Sequence, residues 1–88
     1  MEFNYIPEDR ILHLNMTEMK RIGYKPGKVF FLADGDFCYK IATKVSSQDI
    51  CVAEAIVEND WTMRIPAHFD RSSKVCVAYD SKVLHIYL

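Results

Sequence analysis

Hydrophobic and polar positions alternate with a period of two over much of this 88-residue chain. That is the spacing of half-buried β-strands, whose successive side chains point to opposite faces. Leu12 and Leu14 share one side of a strand over residues 10–14, with Ile11 and His13 on the other. Phe37, Tyr39 and Ile41 alternate with Cys38, Lys40 and Lys44 over 36–44. Trp61, Met63 and Ile65 alternate with Thr62 and Arg64. Leu84, Ile86 and Leu88 alternate with Val83, His85 and Tyr87 at the end of the chain. Residues 3–6, 28–33 and 74–79 are shorter apolar runs that read as further strands. The stretch 50–57 differs: apart from Glu54 it is apolar on both faces. Its Ile, Val and Cys content predicts a central strand rather than a helix.

One segment breaks the alternation. Met16, Met19 and Ile22 recur at helical spacing. Asn15 stands where its side-chain oxygen can accept an orphan N–H of the first turn, and Glu18 occupies the capping-box position three residues on. Lys20 and Arg21 lie near the C-terminal end, where the helix dipole favours cations. Gly23 then suits a left-handed stop. Pro26-Gly27 suits a type II turn. Asp34-Gly35 is the dipeptide of a two-residue type I′ hairpin. Residues 58–60, the loop 46–49 and Asp80-Ser81 supply the other turns.

These elements predict a mainly β fold, β-rich α+β in class. We expect a small barrel or wrapped antiparallel sheet of six to eight short strands, with one short helix near residues 16–22. Eighty-eight residues make a single globular domain, 1–88.

Composition narrows the function classes. Half the residues are hydrophobic and 26% are charged, which is globular rather than disordered. The formal net charge is -1 and the pI is near 6.3, so there is no basic surplus of the kind nucleic-acid binders carry. No apolar run approaches the ~20 residues of a membrane span, and no secretory h-region opens the chain. Cys38, Cys51 and Cys76 are odd in number and widely spaced, which argues for reduced thiols in a cytoplasmic protein over a disulfide framework.

Catalytic and metal motifs are missing. His13, His68 and His85 stand far apart, and none lies in an HxxxH or HExxH frame. A zinc site would need one His and two Cys brought together from distant strands. Asp34-Gly35-Asp36 lacks the further oxygen ligands and distal Glu of a calcium loop. No P-loop or dinucleotide fingerprint occurs. The expectation is a non-enzyme without cofactor or metal.

The tract from Arg10 to Phe31 resembles the AbrB-type swapped-hairpin family, including MraZ-like proteins with cradle-loop barrels. Leu14-Asn15 matches that family's Ile-Pro position, and Ile22-Gly23-Tyr24-Lys25-Pro26-Gly27 its second half. Arg64-Ile65-Pro66-Ala67-His68-Phe69 echoes the same pattern. Asn15 replaces the family's proline, Lys28 its usual acid, and Met19 its arginine. The resemblance implies a dimeric DNA-binding regulator, with Arg10, Lys20, Arg21, Lys25, Arg64 and Arg71 as candidate phosphate contacts.

The residues themselves favour a different reading. Aromatic side chains are many for so small a core, and alternation turns some of them outward. Phe30, Phe31, Tyr39, Trp61 and Tyr87 are candidate protein-interface residues. We therefore expect a small non-enzymatic inhibitor or adaptor acting on a protein partner not named by the sequence, or on a second copy of itself. Nucleic acid is the alternative partner, and no membrane role is expected.

Overall fold

A computed structural model describes residues 5–6, 9–67, 75–80 and 82–87, with side chains from residue 9 onward. The described residues form eight strands and one α-helix: β1 (Tyr5–Ile6), β2 (Ile11–His13), α1 (Met16–Arg21), β3 (Gly27–Ala33), β4 (Cys38–Ala42), β5 (Cys51–Val57), β6 (Thr62–Arg64), β7 (Cys76–Asp80) and β8 (Val83–Tyr87). All the strands join one antiparallel sheet in the order β1-β2-β6-β5-β3-β4-β8-β7. The sheet curls into a half-barrel, and the fold is mainly β as the alternation requires. The predicted end of the last strand, Leu88, lies outside the described residues.

The concave side holds the core. Leu12, Met63, Phe31 and Ile41 come from β2, β6, β3 and β4, Leu84 and Ile86 both from β8, and all six are 0% exposed. Helix α1 covers this side, with Met19 and Ile22 joining the same cluster. Burial at roughly 25 cal/mol per Å² of apolar surface makes this shared cluster the main stabilising term.

The helix is delimited by its caps. Asn15 is extended, and its Oδ1 accepts the Glu18 N–H at 2.9 Å. The reciprocal half of the predicted capping box is not made. The Asn15 N–H donates instead to the Tyr79 hydroxyl at 2.8 Å, and the Glu18 carboxylate pairs with Arg21. A tertiary partner has displaced the local one. At the other end Gly23 has φ 90. The Gly23 N–H reaches the Lys20 carbonyl and the Tyr24 N–H reaches that of Met19, which is a Schellman stop. Tyr24 is thereby turned into the core. Its hydroxyl donates to the Ile41 carbonyl of β4 and accepts from the Leu84 N–H of β8 at 3.1 Å.

Two predicted turns take other forms. Gly27 has φ 143 and already pairs with Val57. Pro26-Gly27 thus bends the chain into β3 instead of making a type II turn, whose glycine would sit near +80°. The β3–β4 hairpin closes through Asp34–Phe37, with Ala33 opposite Tyr39. Its tip uses positive φ at Gly35 and Phe37. The physical reason is register. A two-residue turn would pair Ala33 with Asp36 and set Cys38 and Lys40 on the face of Phe31. The longer loop sets Tyr39 and Ile41 there and keeps Lys40 out of the core. Phe37 leaves the strand and is exposed at the tip.

Two stability predictions follow from these contacts. At Gly23 an added Cβ would meet nothing within 4 Å, so Gly23→Ala should cost only its left-handed backbone strain, about 1–2 kcal/mol, read by urea denaturation. Tyr24→Phe strands the Leu84 N–H and the Ile41 carbonyl and should cost about 1–3 kcal/mol. Burial raises the Tyr24 pKa above its ordinary value, opposed by the Leu84 hydrogen bond. A raised folded pKa means that this contribution is complete below the unfolded tyrosine pKa, near 10, and fades as pH climbs past it. Unfolding measured across that range should show a shallower alkaline decline in Tyr24→Phe than in the parent chain.

Candidate functional site

The convex side of the sheet is where surface chemistry collects, and β5 is its centre. Residues 53, 55 and 57 of β5 turn inward, and Val52, Glu54 and Ile56 turn outward. The strand is interior to the sheet, as its composition predicts. Its outer face is open: Ile56 is 54% exposed and Val52 38%. A register shift beside Phe31 and Leu32 pairs Leu32 with Cys51, which makes Val52 the extra residue of a β-bulge. Ile50, just before the strand, is also exposed.

Strand β5 also has a free edge. Among the described residues it meets β6 only at Val57 and Met63, whereas it follows β3 along its whole length. The phase of the β3 ladder is set by Ala33, whose N–H donates to Ile50, and by Asp34, whose N–H donates to Cys38. Odd residues of β3 therefore bond β5, and even ones bond β4. Ala53 and Ala55 exchange hydrogen bonds with Phe31 and Val29. The peptide groups of Glu54 point away, toward the opening between β5 and the β2–β6 pair. That opening is a groove of about 510 Å³ whose apolar walls include Ile11, Ile56 and Pro66. Lys28 crosses the face beside it. Its Nζ lies 2.7 Å from Glu54 Oε1 and 5.8 Å from the centre of the Phe30 ring.

The predicted aromatics divide between the two sides. Phe31 is 0% exposed and is a core residue, unavailable to a partner. Its inward place follows from the pairing with Ile41. Tyr39 packs inward with it, rings 6.2 Å apart, and Trp61 also lies against the core. Phe30 projects outward and is half-buried, and Tyr87 is exposed on the same convex side.

The predicted cations do not assemble into one basic face. Lys20 and Arg21 ride on the helix over the concave side, whereas Arg64 projects from the convex side of β6. Arg21 is held by Glu18 at 2.8 Å and donates to the Tyr79 carbonyl at 2.9 Å, which covers part of the β7 edge. Arg10 is half-buried at a positive φ, and Lys25 is exposed. Arg71 lies outside the described residues, as do His68 and Phe69 of the second segment that echoes the family.

A second group lies toward the β4–β8–β7 end of the convex side. Asp34, Cys38 and His85 each offer a ligand atom, all within 4.8 Å of one another. Cys38 and Cys76 flank Tyr87 across one rung of the sheet. Burial and the Asp34 charge raise the Cys38 pKa, opposed by a hydrogen bond with the Tyr87 hydroxyl. A thiol so placed keeps its proton at neutral pH and is no activated nucleophile. Motif spacing could not have found this group, because His85 reaches it only through the pairing of β4 with β8. The outward Ile56 left a clearer trace, in the apolar alternation on both sides of residues 50–57.

Comparison with protein-family models, curated proteins and solved structures finds no match.

The free edge has a direct readout. Backbone amide exchange should be slow at Ala53 and Ala55 and faster by orders of magnitude at Glu54. Equal protection at all three, measured by NMR, would mean that another strand covers β5.

Proposed function

We propose that this chain is a non-enzymatic binding protein that takes an extended segment of a partner protein onto β5. The observation that supports this is the coincidence of an outward apolar face and a free strand edge on the same element. Strand addition draws its affinity from main-chain hydrogen bonds and its specificity from side-chain sites at alternate positions. The peptide groups of Glu54 offer the first, and the groove beside Ile11, Ile56 and Pro66 offers the second. The partner segment is therefore extended, with an apolar residue at every second position. Lys28, Glu54, Glu58 and Arg64 at the groove carry both signs of charge, which suits a protein segment better than a polyanion. The helix and sheet cations lie on opposite sides, so a nucleic-acid role draws no support from their placement. Three free thiols, one of them exposed, fit a reducing compartment such as the cytoplasm.

Two substitutions test the reading at different levels. Ile56→Lys removes the apolar site. Glu54→Pro removes an edge N–H while sparing the bonds to β3, a position where strands tolerate proline. Both should keep the fold, with circular dichroism unchanged and stability within about 0.5 kcal/mol for the surface lysine. Proteins captured by the parent chain from its host should be lost with both variants and kept with the remote control Lys25→Glu. Sedimentation adds the self-association arm: a dimer that dissolves in Ile56→Lys identifies the partner as a second copy. A captured set and a sedimentation profile that neither variant alters would overturn the proposal.

A further inference from the structure

We infer that Asp34, Cys38 and His85 form a zinc site on the convex side of the sheet, separate from the β5 groove. Each comes from a different structural position. Asp34 opens the β3–β4 loop, Cys38 begins β4, and His85 stands in β8 opposite Lys40. Their ligand atoms already lie within 4.8 Å of one another. A tetrahedral zinc ion needs about 2.3 Å to sulfur and about 2.0–2.2 Å to nitrogen or oxygen, so small side-chain rotations close the triangle around one ion.

The histidine supplies an independent sign. His85 Nδ1 is buried and has no hydrogen-bond partner. It lies 3.5 Å from Asp34 Oδ2, too far for a good hydrogen bond. A buried ring nitrogen left without a partner is costly, and a metal ion between it and the carboxylate would satisfy both. The Tyr87 hydroxyl hydrogen-bonds the Cys38 sulfur, the kind of contact by which an outer-shell donor orients a metal-bound thiolate. Lys40 faces His85 in the register, and its charge also helps hold the Asp49 carboxyl below its ordinary range.

The donor set chooses the metal. One sulfur, one imidazole nitrogen and one carboxylate oxygen suit zinc rather than calcium or magnesium, which take oxygen ligands. Three protein ligands leave a fourth position, and Asp34 is half-exposed, so water completes the shell. Binding releases the Cys38 proton to solvent. The ion would tie the β3–β4 loop to β8 directly, beside the β4 ladder that already joins them.

Cobalt(II) serves as the spectroscopic probe of the metal-free chain. One equivalent should give visible d–d bands and a near-ultraviolet sulfur-to-cobalt band, both displaced by zinc. The sulfur band should vanish in Cys38→Ser and persist in Cys76→Ser and Cys51→Ser. Affinity should fall tenfold or more in His85→Gln and Asp34→Asn, with folding of each variant checked by circular dichroism. In the unaltered chain, zinc should protect Cys38 alone from alkylation, as read by mass spectrometry, and raise the thermal midpoint by several degrees. No sulfur-to-cobalt band at one equivalent, or a band that survives Cys38→Ser, would overturn the assignment. So would zinc that leaves Cys38 as open to alkylation as before.

Discussion

The Tyr24 hydroxyl holds this fold together at the point where three elements meet. The Schellman stop at Gly23 turns Tyr24 from the end of α1 into the core. There its hydroxyl bonds the Ile41 carbonyl and the Leu84 N–H. Ile41 and Leu84 are themselves register partners, so one side chain spans the end of the β4–β8 ladder. Buried peptide groups must be paired, and this one contact satisfies two of them while fixing the helix over the concave side. The positions of Cys38, His85 and Tyr87 all depend on the same ladder.

The convex side is the consequence of a sheet that curls around a single core. Strands that look alike in sequence end in different surroundings. Ile41 and Ile56 are both isoleucines of interior strands, yet one is fully buried and the other is 54% exposed. A half-barrel with one short helix covers chiefly its hollow side, although Leu32 is also buried outside that core. Apolar residues of β5 on the other side have no layer to meet, and the divergence of β6 after Val57 leaves the strand edge open beside them. An apolar face and an unpaired edge on one strand are a liability unless something uses them. The groups that fill the opposite end of the same side, Asp34, Cys38 and His85, are polar and of a kind that ligates metals.

Much of the architecture was legible because it is local. Asn15, Gly23 and the alternation through Leu12–Leu14, Met63–Ile65 and Leu84–Ile86 act through neighbours a few residues away, and each does in the fold what its spacing demands. The capping box failed at its second bond because Tyr79, distant in sequence, supplied a better acceptor for the Asn15 N–H. The Asp34-Gly35 turn failed because the core preferred Tyr39 and Ile41 over Cys38 and Lys40. Of the candidate interface aromatics, Phe31 went to the core and Phe30 outward, since adjacent strand residues face opposite ways and only the sheet's curvature decides which way is in.

The amino-acid order by itself determined that the chain would be a β-rich fold with one capped helix, because period, capping and turn chemistry are short-range. It also determined that no catalytic or metal motif of contiguous spacing exists. Which face of each strand is buried, how far β6 follows β5, and whether Asp34, Cys38 and His85 meet were decided only by the tertiary structure. Those outcomes follow from sheet order and register, which rest on the joint packing of residues dozens of positions apart.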